Sequence, residues 1–246
     1  MDEDAVLARL SRLGFADADA RLLSDHFLDA ERRGKPSHGV ARIESLETLA
    51  ELDPSARPVK AVATPAFDLW EGRGALGYLT LAAVCADLEE RPPSLVKVVA
   101  ASHCFPTGML GYWVRRLANA GLAALLTATS PARLGHPDGG DPLVGTNPLA
   151  IGVPNPDGEP LVADVSMGKV TYGDVLRGVA RPEDLVPFGG AQAHKAFALA
   201  VGLQGWVESF VGESYGAVLV VARPAYDEFA SSLRSRAGGH HLPGDS

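Results

Sequence analysis

Apolar residues recur at helical spacing from the start of the chain. Val6, Leu7, Leu10 and Leu13 share one face over residues 3–13, and Gly14 ends the run. A second amphipathic stretch runs from Asp17 to Arg33, with Leu23, Phe27 and Ala30 on its apolar side and Gly34 closing it. The pattern predicts a helical hairpin whose apolar faces need a partner. Ile43, Leu46, Leu49 and Ala50 carry helical spacing on towards Pro54. From Pro58 the texture changes to short β-prone pieces, Val59–Ala63 and Phe67–Trp70, punctuated by proline and glycine. Tyr78–Glu90 reads as a helix. Leu95–Ala101 and Leu122–Ala128 are apolar runs of the kind that form strands buried on both faces, and a helix over Leu110–Ala120 joins them. This succession is a βαβ unit, whose binding loops lie at the C-terminal ends of its strands, where His103 falls. Leu149–Val153 and Leu161–Val165 pair across the turn Asn155-Pro156-Asp157-Gly158. Gly173-Asp174 opens a short helix and His194–Val207 forms a longer one. One or two strands follow around Val218–Val221, then a helix over Tyr226–Arg236. The prediction is an α/β protein with a helical segment over 1–55, a core over 56–236 and a tail over 237–246.

The densest chemistry lies where the helical hairpin ends. Lys35-Pro36-Ser37-His38-Gly39-Val40-Ala41-Arg42 holds a hydroxyl, an imidazole and a guanidinium within a few positions. If the chain turns helical at Gly39, His38 and Arg42 lie one turn apart and converge on one ligand. An imidazole passes a proton near neutral pH, and a guanidinium clamps a carboxylate through two parallel hydrogen bonds. Proton transfer to a small carboxylic acid is therefore one reading. The plainer one is that Ser37 caps a helix and both charged groups are solvated.

Composition narrows the classes. A formal charge of −8, with no Lys/Arg cluster interleaved with aromatics, argues against a nucleic-acid partner. No apolar run approaches a membrane span, and the acidic opening Met1-Asp2-Glu3-Asp4 is unlike a secretory signal. Cys85 and Cys104 have no partnered spacing, so neither a disulfide framework nor a zinc site is indicated, and a reducing cytoplasmic setting is expected. The histidines are scattered, without metal-ligand spacing, so no metal is assigned. There is no Gly-x-Gly-x-x-Gly between a strand and a helix, which argues against an ordinary Rossmann domain, and no Gly-x-Ser-x-Gly elbow.

Taken in order, the motifs resemble the non-Rossmann malate/L-lactate dehydrogenase family, which includes ureidoglycolate and sulfolactate dehydrogenases and the ketimine reductases of Δ1-piperideine-2-carboxylate and Δ1-pyrroline-2-carboxylate. The matching residues are Ser37-His38-Gly39-Val40-Ala41-Arg42, Ser102-His103 with Gly108 and Gly111-Tyr112, and Gly145-Thr146-Asn147-Pro148-Leu149-Ala150 with Pro154. Asp164-Val165-Ser166, Gly189-Gly190, His194-Lys195 and Leu242-Pro243-Gly244 complete the series. The resemblance implies a non-Rossmann malate/L-lactate dehydrogenase-like fold, an N-terminal helical hairpin plus a mixed sheet with helices. It implies NAD(P)H-dependent reduction of a 2-oxo or cyclic 2-imino acid, or the reverse oxidation, at a site shared within a homodimer. His38 would be the proton donor, with Ser37 and Asp174 relaying or orienting, and Arg42 and Thr146 would hold the substrate carboxylate. His103, Cys104, Phe105, Pro106, Thr107, Asp164, Val165, Ser166, His194, Lys195, Leu242, Pro243 and Gly244 would contact the cofactor. The acid at position 174 resembles the imine-reducing branch.

Three departures bear on the cofactor. The stretch between Asp174 and Gly189 is brief and the sequence stops soon after Leu242-Pro243-Gly244, so part of the cofactor region is expected to be missing. Cys104, Phe105 and Pro106 add bulk where the family loop is small, and Pro106 removes an amide donor. Ala196 follows Lys195 where the family has glycine. A second hypothesis follows: a shortened relative without nicotinamide that uses the same acid/base site for isomerisation, elimination, decarboxylation or cyclisation. A third, a catalytically dead partner subunit, predicts erosion of the acid/base residues, which are intact.

Overall fold

The helical hairpin forms where the spacing predicts it. Helix α1 (Glu3–Arg12) is capped by Asp2, whose carboxylate accepts the Ala5 amide at 2.9 Å, and α2 (Asp17–Arg32) packs against it through Val6, Leu10, Leu23 and Phe27. The computed structural model describes residues 2–49, 51–226 and 228–245. Met1, Ala50, Asp227 and Ser246, each inside a segment read above, lie outside them. Helix α3 (Arg42–Glu47) is shorter than its apolar pattern suggests. The chain is also not helical through Gly39, so the continuous turn expected to join His38 to Arg42 is absent. Pro36–His38 form one 3-10 turn, and Gly39 is extended (φ −85°, ψ −153°). The cause lies in α2: the Glu31 carboxylate accepts the Val40 amide at 3.0 Å and fills the space a Gly39 Cβ would occupy.

The strands form one mixed sheet. Along the chain they are β1 (Val59–Ala63), β2 (Phe67–Glu71), β3 (Val96–Ser102), β4 (Ala123–Ala128), β5 (Leu149–Val153), β6 (Leu161–Val165) and β7 (Gly216–Ala222). Their order in the sheet is β1-β2-β3-β7-β4-β5-β6, with only β2 and β3 paired parallel. The expected strand–helix–strand unit is present as β3, α5 (Leu110–Asn119) and β4, but its strands are not neighbours. Strand β7 lies between them, antiparallel to both, with Leu219 opposite Val99 on one side and Leu126 on the other. Its apolar run explains the insertion: Ala217, Leu219 and Val221 enter the main core while Val218 faces the opposite layer, a pattern suited to a central strand.

Helices α1, α2, α4 (Gly77–Glu90) and α5 cover one face of the sheet, where Tyr78, Leu88, Leu110, Trp113 and Leu117 are fully buried. Helix α7 (Ala193–Val211) covers the other through Ala200 and Val207. The edge strand β6 is covered by the chain's last residues. Val162 donates to the Pro243 carbonyl at 3.0 Å, and Ser231 of α8 (Phe229–Arg236) bonds Asn155 and Asp157 at 2.7 Å. Among the described residues no helix is long and apolar enough to cross a membrane, and no His, Cys, Asp and Glu gather as a metal-holding group.

His26 of α2 is buried beneath the rings of Phe27, Tyr78, Tyr112 and Trp113, with Met109 donating its amide to Nε2 at 3.2 Å. Burial pushes its pKa from 6.5 to about 3, with His38 adding to the shift. The folded value lies below the unfolded one, so stability is whole above pH 6.5 and is lost as pH falls towards the folded value. His26 alone should cost about 2 kcal/mol between pH 6.5 and pH 5, at ~1.4 kcal/mol per proton and pH unit. Urea unfolding at the two pH values should show this loss in the wild type and a correspondingly smaller one in His26→Gln. Equal losses in both would contradict the assignment.

Candidate active site

Ser37 and His38 occupy the Pro36–His38 turn between the end of α2 and the short helix α6 (Tyr172–Leu176). The approach is backbone to backbone: a Cβ on Gly173 would collide with the carbonyl oxygen of Ser37. His38 consequently stands in the wall between two cavities. The first, about 290 Å³, takes in Arg42, Phe105, Ser130, Arg133, Thr146 and Tyr172. The second, about 280 Å³, takes in Lys35, Ser37, Asp164 and Asp174. Pro148, Gly108, Ser166 and Thr171 border both.

Burial is the main cause that holds the His38 imidazole down from 6.5 to about 4. Asp164 opposes the shift, Arg42 and Lys35 add to it, and Asp174 opposes it. The ring is therefore neutral at pH 7. Arg42 forms no ion pair among the described residues. Its guanidinium lies near the fully buried Tyr78 hydroxyl, whose pKa burial raises and Arg42 opposes.

The walls are held by contacts remote from the cleft. Thr146 is fixed by its carbonyl, which accepts the Met167 amide at 2.9 Å. Its neighbour Asn147 is fully buried and donates Nδ2 to the Ala200 carbonyl and to Gln204 Oε1 of α7, at 2.9 and 2.8 Å. Asp174 shares a capping box with Thr171. Its carboxylate accepts the Thr171 amide at 3.0 Å and hydroxyl at 2.8 Å, while its own amide donates to Thr171 Oγ1 at 3.2 Å. The capping role and the position beside His38 coexist in one residue. Asp164 likewise accepts the Gly111 amide at 2.9 Å and pairs with Lys35 at 3.7 Å.

The structure thus gathers Ser37, His38, Arg42, Thr146, Asp174, Phe105, Pro106, Thr107, Asp164 and Ser166 around the two cavities. Other expected positions lie elsewhere. His103, in the left-handed region at φ 50°, is exposed and lines neither cavity. Cys104 turns inward, its thiol donating to the Gly77 carbonyl at 3.7 Å, and burial pushes its pKa up to about 12. Val165 is exposed at the edge strand, because alternation turns it away from the face that carries Asp164. His194 and Lys195 are exposed on the first turn of α7, whose buried positions Ala193, Ala196 and Ala200 face the sheet. Leu242, Pro243 and Gly244 lie along β6, where the strand's open hydrogen-bonding edge takes the Pro243 carbonyl. Ser130, Arg133 and Tyr172 are on the cleft wall and were not singled out from the sequence. The signal for Ser130 and Arg133 was available, since both follow the C-terminal end of β4 as His103 follows that of β3.

The cleft suits the nicotinamide end of a dinucleotide. Phe105, Pro106 and Ala128 offer apolar surface, and the buried Ser130 hydroxyl beside them has no hydrogen-bond partner.

Residues 3–196 match the family model described as malate/L-lactate dehydrogenase. A (2R)-3-sulfolactate dehydrogenase (NADP(+)) of Chromohalobacter salexigens is 32% identical over 185 residues, covering 71% of this chain and 53% of that protein. A Delta(1)-pyrroline-2-carboxylate/Delta(1)-piperideine-2-carboxylate reductase of Pseudomonas aeruginosa is 28% identical over 266 residues, covering 95% and 75%. The match to the first of these spans about half of the relative's length. Among solved structures, the delta1-piperideine-2-carboxylate reductase of Pseudomonas syringae pvar. tomato superposes with a TM-score of 0.83 at 25% identity, covering 99% of this chain and 89% of that one.

The contact between Gly173 and Ser37 is testable by itself. Gly173→Ala should cost about 1–3 kcal/mol, because backbone must move to admit the methyl. Gly202→Ala, with open space around it in the interior of α7, should instead stabilise by up to about 1 kcal/mol. Denaturant midpoints of the two variants check both signs.

Proposed function

Because the chain belongs to the malate/L-lactate dehydrogenase family, we propose that it is an NAD(P)(H)-dependent oxidoreductase interconverting a small 2-oxo or cyclic 2-imino acid and its reduced form. The observation that carries this reading is the placement of the His38 imidazole on one cavity with the Arg42 guanidinium, which forms no ion pair among the described residues. The names of the relatives, which include a 2-hydroxy-acid dehydrogenase and reductases of cyclic imines, support the two substrate types.

Arg42 receives the α-carboxylate through charge-assisted hydrogen bonds, and the Thr146 hydroxyl adds to the clamp. Phe105, Pro106, Ala128 and Ser130 would hold a nicotinamide, which would supply or receive the hydride. His38 handles the proton. As the neutral imidazole it takes the proton of a 2-hydroxyl or 2-amino group during oxidation, and as the imidazolium it returns one during reduction. Arg42 depresses the imidazole in the ligand-free protein, so an α-carboxylate on Arg42 cancels that repulsion and raises the His38 pKa towards neutrality. Asp174 and Asp164 favour the charged ring and orient it from the second cavity.

A second reading keeps the acid/base site and drops the nicotinamide, leaving an isomerase or lyase of a keto or imino acid. It is favoured by one observation: His103, His194, Lys195 and Leu242–Gly244 lie away from the cleft. Titration with NADPH and NADH, followed by nicotinamide fluorescence, separates the two. No binding at millimolar cofactor would sink the oxidoreductase reading. His38→Asn should lower kcat by about 10²–10⁴-fold while KM changes little, since Asn keeps the polar contact but cannot carry the proton. Full activity in this variant would overturn both readings.

A further inference from the structure

Arg133 stands in the same cleft as Arg42 and, like it, forms no ion pair among the described residues. Among the described residues no aspartate or glutamate lines this cleft, in a chain whose formal charge is −8. Hydroxyl-bearing residues line it instead, Ser45, Ser130 and Thr146 among them, and the Ser130 hydroxyl is buried without a partner among the described residues. Two guanidinium groups with no counter-ion repel one another and lose hydration, a cost that a ligand of matching charge removes.

Arg133 is also held in place. Its amide donates to the Val144 carbonyl at 2.9 Å, and its guanidinium carbon sits 3.5 Å from the centre of the Tyr172 ring. Stacking occupies the guanidinium face, the Tyr172 hydroxyl lies near one edge, and the guanidinium makes no hydrogen bond that meets ordinary geometry among the described residues, so N–H groups remain for an anion. Burial lowers the pKa of this group from its usual value, and Arg42 adds to the shift. The same Val144 precedes Gly145-Thr146, so one backbone pairing fixes Arg133 relative to the residue assigned to the α-carboxylate.

We propose that Arg133 forms a second anion subsite, so that the substrate carries two acidic groups: an α-carboxylate on Arg42 and a further carboxylate or sulfonate on Arg133. The reaction assigned to this substrate rests on the oxidoreductase reading above; the subsite itself does not. A phosphate of a nucleotide cofactor is the competing source of negative charge for Arg133.

The test is calorimetric titration of the full chain with malate and with lactate, which share the 2-hydroxy acid core and differ by one carboxylate. The wild type should bind malate at least about tenfold more tightly, the ratio that corresponds to about 1.4 kcal/mol. In Arg133→Gln the ratio should fall close to one, and in Arg133→Lys, which keeps the charge without the stacked fork, part of it should remain. Arg42→Gln should weaken both ligands together. Lactate binding in each variant reports that the cleft is still folded. Should Arg133→Gln not fold, Arg133→Lys decides alone: the proposal predicts a reduced ratio, and an unchanged one overturns it. The proposal is also overturned if the wild type does not prefer malate or binds neither ligand, or if Arg133→Gln leaves the ratio intact. Loss of NADPH affinity in Arg133→Gln with the malate preference intact would assign the residue to a cofactor phosphate. Failure of the wild type to bind NADPH or NADH, with an Arg133-dependent malate preference, would remove the oxidoreductase reading and leave the subsite standing.

Discussion

The contact between Gly173 and the Ser37 carbonyl is the constraint on which the site depends. With no side chain at Gly173, α6 lies directly on the Pro36–His38 turn, and this brings Asp174 beside His38 and Tyr172 to the opposite wall. Tyr172 in turn carries Arg133, and the backbone of Arg133 is tied to Val144, next to Gly145-Thr146. A chain of contacts therefore links segments far apart in sequence, through backbone groups, a capping box and one stacked pair of side chains. The proposed roles of His38, Arg42 and Arg133 would require placement of that kind.

Electrostatics separates the site from the rest of the molecule. Elsewhere among the described residues the half-buried cations are paired, Lys60 and Lys97 with the buried Asp68, Arg116 with Glu89, Arg9 with Glu47, while exposed ones such as Lys195 are left to solvent. In the cleft Arg42 and Arg133 face hydroxyls and apolar surface instead. The same surroundings keep His38 neutral, since a charged imidazole would be poorly hydrated and close to two cations, Arg42 and Lys35. Unpaired, poorly hydrated charge of this kind weakens a fold, and an anion bound beside it would remove the cost. Local departure from the best-paired arrangement is the usual mark of a binding site.

Much of the fold was legible in the chain because it follows from local periodicity. The hairpin α1–α2, the strands β3 and β4 and the β5–β6 pair occupy nearly the residues their apolar spacing predicts. In the site, Ser37, His38, Arg42, Thr146 and Asp174 were legible as chemistry because they cluster in short, motif-like stretches. Arg133 and Tyr172 were not, since one sits in a loop and the other beside a cap, and their stacking depends on two segments meeting. The exposed positions of His194 and Lys195 and the course of Leu242–Gly244 along β6 were equally illegible. A motif states which groups are present, while the direction of a helix face or the open edge of a strand decides where they point.

By itself, then, the sequence determined the helical and strand segments, the net charge and the identity of the acid/base and carboxylate-binding candidates. Tertiary structure alone decided that β7 separates β3 from β4, that Gly39 breaks the turn between His38 and Arg42, and that a second arginine shares the cleft. Periodicity and capping act over a few residues and can be read along the chain. Strand order, backbone contact and unpaired charge arise only when distant segments compete for the same space and the same hydrogen bonds.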